Sequence, residues 1–174
     1  MNKKWVEGWD QHFMTDAYNK AMKSKDTSTK LGAVIVGPDN EPVSNGYNNF
    51  PRNLNDDIEE RYQRPLKYRF MEHAERNAIY NAARHGVALK GCRLYVPQRP
   101  CTDCVRGIIQ TGIIEVIYHK EWLGNAIDTP WYDDQQLGIT MLEECNVKIR
   151  EWSGDILTLR LLFSGKEYTV DDLK

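Results

Sequence analysis

Two short motifs set the tightest constraint on how this chain can fold. His73-Ala74-Glu75 lies in a helix-like run over residues 71–79, and Pro100-Cys101-Thr102-Asp103-Cys104 follows about one βα unit downstream. One imidazole and two thiolates suit a divalent zinc, and a catalytic zinc commonly keeps three protein ligands and an open fourth tetrahedral position. A fold that uses His73, Cys101 and Cys104 as metal ligands must bring two distant segments together. Glu75, two residues after His73, is badly spaced to ligate from the same helix. It is well placed to lean over the open position as a general acid and base. The bland alternative is a closed structural site, which requires a fourth ligand. The other two cysteines serve poorly: Cys92 opens an apolar strand-like run and Cys145 ends a helix-like one, and both read as buried small hydrophobes.

The 174 residues amount to one domain, long enough to bury a single sizeable core. Aliphatic and aromatic residues make up 41%, which predicts a globular chain. The formal net charge is -2 and no lysine and arginine run dominates a face. A large nucleic-acid footprint requires a strong basic patch, so nucleic acid is not the expected partner. A small phosphorylated substrate requires only a cation or two. No segment approaches membrane-spanning length, and the N-terminal residues 1–5 lack an apolar signal core. Four cysteines, two of them assigned to a metal, suit a reducing cytoplasm.

Along the chain, residues 5–23 read as an amphipathic helix from the spacing of Trp5, Trp9, Phe13 and Ala17. The run 31–36 reads as a central strand covered on both faces, and Gly37-Pro38-Asp39-Asn40 turns it into a second strand ending near Tyr47. Asn48 is either an amide of that turn or part of a substrate wall. Residues 53–67 form a charged, irregular insert, either a lid or a surface excursion. Arg52, Arg61, Arg64 and Arg69 are candidates there for holding a phosphate. A metal-bearing helix over 68–85, a strand over 92–96, a second metal helix over 101–111 and a strand over 113–118 follow. Thiolates in the first turn of that second helix gain from its positive end. A helix over 131–145 and a short strand over 146–151 complete an α/β domain with helices on both faces of a sheet. We assign residues 1–151 to this domain and 152–174 to a C-terminal extension. The extension reads as a β-hairpin, with a terminal helix as the competing reading, and as a docking or oligomer contact.

With these segments in view, the chain resembles the cytidine and deoxycytidylate deaminase superfamily, and most of all its deoxycytidylate branch. The likeness rests on residues 24–36, on Gly46-Tyr47-Asn48-Asn49-Phe50-Pro51-Arg52, on His73-Ala74-Glu75-Arg76-Asn77-Ala78-Ile79 and on Pro100-Cys101-Thr102-Asp103-Cys104. It runs unbroken over roughly residues 10–120. The branch usually has glycine after the motif's Asn and after its Arg, where this chain has Asn49 and Asn53. The resemblance implies a three-layer α-β-α fold around a mixed five-stranded sheet of order 2-1-3-4-5. It implies zinc as cofactor and conversion of dCMP to dUMP with release of ammonia. The alternatives are deamination of another cytosine nucleotide, nucleoside or nucleic acid, or a nucleotide-sensing subunit of the same fold. It further implies a homo-oligomer, a hexamer in many relatives, and dCTP and dTTP as effectors. Asn48 would contact the sugar or base and the backbone near Ala74 would read the pyrimidine edge. Arg52, Arg99 and Arg106 are the substrate-binding candidates nearest the matched motifs.

Overall fold

Residues 5–173 are described by the computed structural model; residues 1–4, where the sequence reads as lacking a leader, lie outside them. α1 (Trp9–Ala21) precedes β1 (Gly32–Val36), every residue of which is buried, as its apolar run requires. β2 (Pro42–Tyr47) pairs antiparallel with one edge of β1. β3 (Arg93–Val96) pairs antiparallel with the other, and β4 (Glu115–His119) and β5 (Lys148–Trp152) continue in parallel. The sheet order is therefore β2-β1-β3-β4-β5. Alternation along β1 divides the core between two faces. Val34 and Val36 pack with Phe13, Met14 and Ala17 of α1. Ala33 and Ile35 pack in the opposite cluster with α3 (Ala74–Arg84), α4 (Thr102–Gln110) and α5 (Tyr132–Glu144). Helices thus cover both faces of a mixed five-stranded sheet. Each large side chain buried there contributes roughly 1.5–3 kcal/mol over its exposed state. Among the described residues no helix is long and apolar enough to cross a membrane.

α3 lies unusually close to β2, and Gly46 is the reason. A Cβ at that position would stand 2.4 Å from the Ala78 nitrogen and 2.5 Å from the Ala74 carbonyl oxygen. Those are backbone atoms, so the helix itself would have to move. Gly46→Ala is expected to cost about 1–3 kcal/mol of stability or more by overpacking, read as a lower midpoint in urea denaturation.

The structure departs from the sequence-based boundaries in two places that matter. α1 begins at Trp9 and not at residue 5, because Gly8 is extended at its N-cap (φ -169°). The helix expected over 68–85 is two helices, a short α2 (Lys67–Phe70) and then α3. Between them Glu72 pairs with Asn49 through both backbone hydrogen bonds, 2.8 and 3.1 Å, which pulls the intervening chain straight. His73 consequently caps α3 and is not inside it. Asn53 holds φ 65°, the left-handed conformation that glycine adopts most readily and asparagine next, so Asn can stand where the resemblance leads one to expect Gly. Beyond β5, residues 155–157 bond back to α1 through Gln11 and Thr15. β6 (Arg160–Phe163) and β7 (Lys166–Thr169) then form a two-stranded antiparallel hairpin turned at Ser164 and Gly165, both with positive φ.

Candidate active site

The N-termini of α3 and α4 meet at the carboxyl end of the sheet, and each carries residues of the candidate metal cluster. His73 is the N-cap of α3, Cys101 the N-cap of α4, and Cys104 sits one turn in. His73 Nδ1 lies 3.4 Å from Cys101 Sγ and 3.6 Å from Cys104 Sγ, and the three ligand atoms all fall within 4.8 Å of one another. With metal–sulfur and metal–nitrogen bonds of about 2.3 and 2.0 Å, a tetrahedral zinc requires a sulfur–nitrogen separation of about 3.5 Å. The donor set fits that ion. No fourth Cys, His, Asp or Glu joins the cluster among the described residues. Cys104 is wholly buried beneath the site, whereas Cys101 borders the cleft.

The chemistry of the donors is consistent with this. A hydrogen bond from Cys104 lowers the Cys101 thiol to about 4 against the cost of burial, with His73 assisting. The same contact, together with burial, pushes Cys104 well above the usual thiol range. Without a metal the two sulfurs hold one proton between them, and a bound ion would take its place. Glu75 is nearly inaccessible, and burial raises its carboxyl above the ordinary value, against the pull of His73. A carboxyl shifted in that direction holds a proton more readily than a free one. Arg76 ties the two ligand-bearing segments together: it pairs with Glu72, beside His73, and lies 3.6 Å from Asp103, between the cysteines.

Next to these groups opens a cavity of about 550 Å³, lined among others by Asn48, Ala74, Glu75 and Arg99. Aromatic rings line part of it: Tyr68 meets Trp131 edge-on at 5.3 Å, and Trp122 also borders the cleft. The substrate-binding candidates divide. Asn48, Ala74 and Arg99 border the cleft, but Arg52 and Arg106 do not. Arg52 bonds to Asn81 on the outer side of α3, and Arg106 turns to Asp103 at the surface. Arg106 follows Cys104 by two positions, which on a helix is nearly the opposite face. Arg99 is anchored by Asn125 and Tyr118, and its Nε is buried without a hydrogen-bond partner.

Sequence reasoning missed Asp26, Lys30 and Lys67, which also line the cleft. The available signal was Asp26-Thr27-Ser28-Thr29 directly before a buried strand, a pattern in which an aspartate caps its own loop. Four cations reach the cavity: Lys30, Arg64, Lys67 and Arg99. Lys67 is neutralised by Asp26 at 2.7 Å, and Arg99 lies 3.9 Å from Glu151. Lys30 donates to the Ser24 carbonyl oxygen, and Arg64 lies over the Tyr68 ring.

Comparison with known proteins agrees with this arrangement. Residues 7–120 match the model of the cytidine and deoxycytidylate deaminase zinc-binding region. A probable deoxycytidylate deaminase of Drosophila melanogaster is 41% identical over 135 residues, covering 71% of this chain and 64% of its own. The deoxycytidylate deaminase of Mus musculus is 40% identical over 126 residues, 70% of each chain. The chain thus spans about two thirds of the length of these curated relatives. Among solved structures, the dCMP deaminase of cyanophage S-TIM5 in complex with dCMP and dUMP superimposes with a TM-score of 0.65 at 25% identity. That match covers 82% of this chain and 95% of the other.

Proposed function

Because the chain belongs to the cytidine and deoxycytidylate deaminase family, we propose that it hydrolyses dCMP to dUMP and ammonia. The observation that carries this reading is the cluster of His73, Cys101 and Cys104 at one end of a nucleotide-sized cleft, with the buried Glu75 beside it. His73, Cys101 and Cys104 would hold a zinc ion, which when bound supplies a Lewis acid that makes water nucleophilic near neutral pH. Glu75 accepts the proton of the attacking water and delivers it to N3 of cytosine, making C4 more electrophilic. It then takes the remaining proton of the hydroxyl now on C4 and passes it to the 4-amino group, so the C4–N bond breaks, the C4 carbonyl forms, water is consumed and ammonia is released.

Lys30 and Arg64, the two cleft cations with no carboxylate partner among the described residues, are suited to the 5′-phosphate. Ammonia release from dCMP, dCTP, cytidine and deoxycytidine tests the assignment, with dCMP expected to be the preferred substrate. Arg64→Ala should raise KM for dCMP roughly tenfold or more, as expected for loss of a charged hydrogen bond, and leave deoxycytidine unaffected. Binding of dCTP with no turnover of any of the four would point to a sensor and overturn the enzyme reading.

The reading extends to a homo-oligomer, a hexamer as the family resemblance implies, with dCTP and dTTP as effectors and the cytoplasm as location. Leu161, Leu162 and Phe163, exposed on β6 in the extension over 152–174, support a subunit contact there, and four free cysteines support a reducing compartment. Sedimentation with and without dCTP tests the assembly.

A further inference from the structure

We propose that Asp134 of α5, which lies beyond the residues 7–120 matched by the family model, is a positioning residue for the metal ligand Cys101: from a separate helix it supplies the hydrogen bonds that fix the start of α4. This rests on the metal reading above and adds to it a helix that contributes nothing to the ligand cluster itself.

A helix leaves its first amide groups without intrahelical partners. An N-cap side chain serves the second or third of them and does not reach the first. In α4 the N-cap is Cys101, and its sulfur is directed to the cluster, 3.4 Å from His73 Nδ1. The first amide, Thr102 N–H, donates to Asp134 Oδ2 at 3.0 Å, and the Thr102 hydroxyl donates to Oδ1 at 2.8 Å. Both oxygens of one carboxylate thus grip the residue next to the ligand. That N–H lies in the plane of the peptide joining Cys101 to Thr102, so holding it fixes the plane and the Cys101 Cα with it.

The rest of α5 sets the height of that carboxylate. Asp134, Gly138 and Leu142 recur at four-residue spacing on one helix face. Leu142 is wholly buried in the core cluster that contains Val105 and Ile108 of α4. A Cβ at Gly138 would stand 3.0 Å from the Pro100 carbonyl oxygen and 3.2 Å from Val105 Cγ2. Glycine is a poor helix former, and its place here follows from that close approach. α5 therefore touches Pro100 through Gly138 and Thr102 through Asp134, on either side of Cys101. Cys104 has a full helical turn before it and is carried by α4 itself. Cys101, at the junction of loop and helix, is the ligand that most needs an outside support. Metal–sulfur distances tolerate only about 0.2 Å, so a loosened junction should show directly in metal affinity.

Two measurements on the metal-free chain test this: zinc affinity by competition with a chromogenic chelator, and the midpoint of urea unfolding. Asp134→Leu should bind zinc roughly tenfold to a hundredfold more weakly than wild type, the range for losing a residue that orients a ligand. Asp134→Asn should stay within about threefold of wild type, because its Oδ1 still accepts from the Thr102 N–H and its Nδ2 can donate to the hydroxyl oxygen. A role in stability alone would lower the urea midpoint of Asp134→Leu and leave its zinc affinity at the wild-type value; that result overturns the proposal. Zinc binding in Asp134→Asn as weak as in Asp134→Leu overturns it too, since the hydrogen bonds would then not be what holds the ligand. If Asp134→Leu does not fold, Thr102→Val keeps the amide bond and removes the hydroxyl bond. It should weaken zinc binding about threefold or more, and an unaltered affinity there is equally fatal. A wild-type chain that takes up no zinc sinks the metal reading itself, a result distinct from all of these.

Discussion

Glu75→Gln is expected to keep its zinc and lose on the order of 10²–10⁴-fold in kcat for dCMP, the usual range for removing a positioned general acid and base. The amide has the size and shape of the carboxyl but carries no transferable proton. KM should change little, because the same side chain volume still closes the cleft. Steady-state ammonia release together with zinc analysis decides the matter, and a variant with more than about a tenth of wild-type turnover would refute the assigned role. Stability should move the other way. Burial raises the Glu75 carboxyl above its ordinary value of 4.5, so the folded chain holds that proton more tightly than the unfolded one. Stability from this group is present below 4.5 and is lost as pH rises through the raised value. At neutral pH, in the metal-free protein, Gln removes that cost. Metal-free Glu75→Gln should therefore unfold at a higher denaturant concentration than metal-free wild type, a difference that disappears in acid.

Cys104→Ala is expected to abolish both zinc retention and turnover. Cys104 is wholly buried, one turn into α4, at 3.6 Å from His73 Nδ1. Water cannot readily take the place of a ligand in that position, and a site left with one imidazole and one thiolate is a two-ligand site. The variant should purify with little or no zinc and release no ammonia from dCMP, and added zinc should restore neither. Retention of stoichiometric metal in Cys104→Ala would exclude that sulfur as a ligand. Removing the metal from wild type with a chelator should abolish turnover reversibly, since the sheet and both helix starts are held by the apolar core and not by the ion.

The sheet and the metal cluster were both legible before any coordinates, for different reasons. The apolar run of β1 could be covered only on both faces, and turn residues at 37–40 required the hairpin. His73, Cys101 and Cys104 could be recognised from residue chemistry alone, because thiolates and an imidazole have few other common uses at that spacing. The cleft cations were not legible in the same way. Arg52 and Arg106 lie close to the motifs in sequence, but proximity along a helix or a loop does not set direction. Asn81 and Asp103 hold both arginines on the outside. Lys67 looked like one more charge in a solvated insert, yet it is buried against a carboxylate 41 residues away.

Local chemistry therefore determined which atoms can bind a metal, which carboxyl can move a proton and which stretches must form the sheet, since these depend on residue type and short-range periodicity. Tertiary structure alone decided that the Glu72–Asn49 pairing ends α2 and leaves His73 as a cap, that Gly46 lets α3 lie against β2, and that Asp26, Lys67 and Asn48 form one network at the cleft. The reason is that each of these depends on a contact between segments far apart in the chain, where burial and the count of available donors and acceptors settle an orientation that no local pattern encodes.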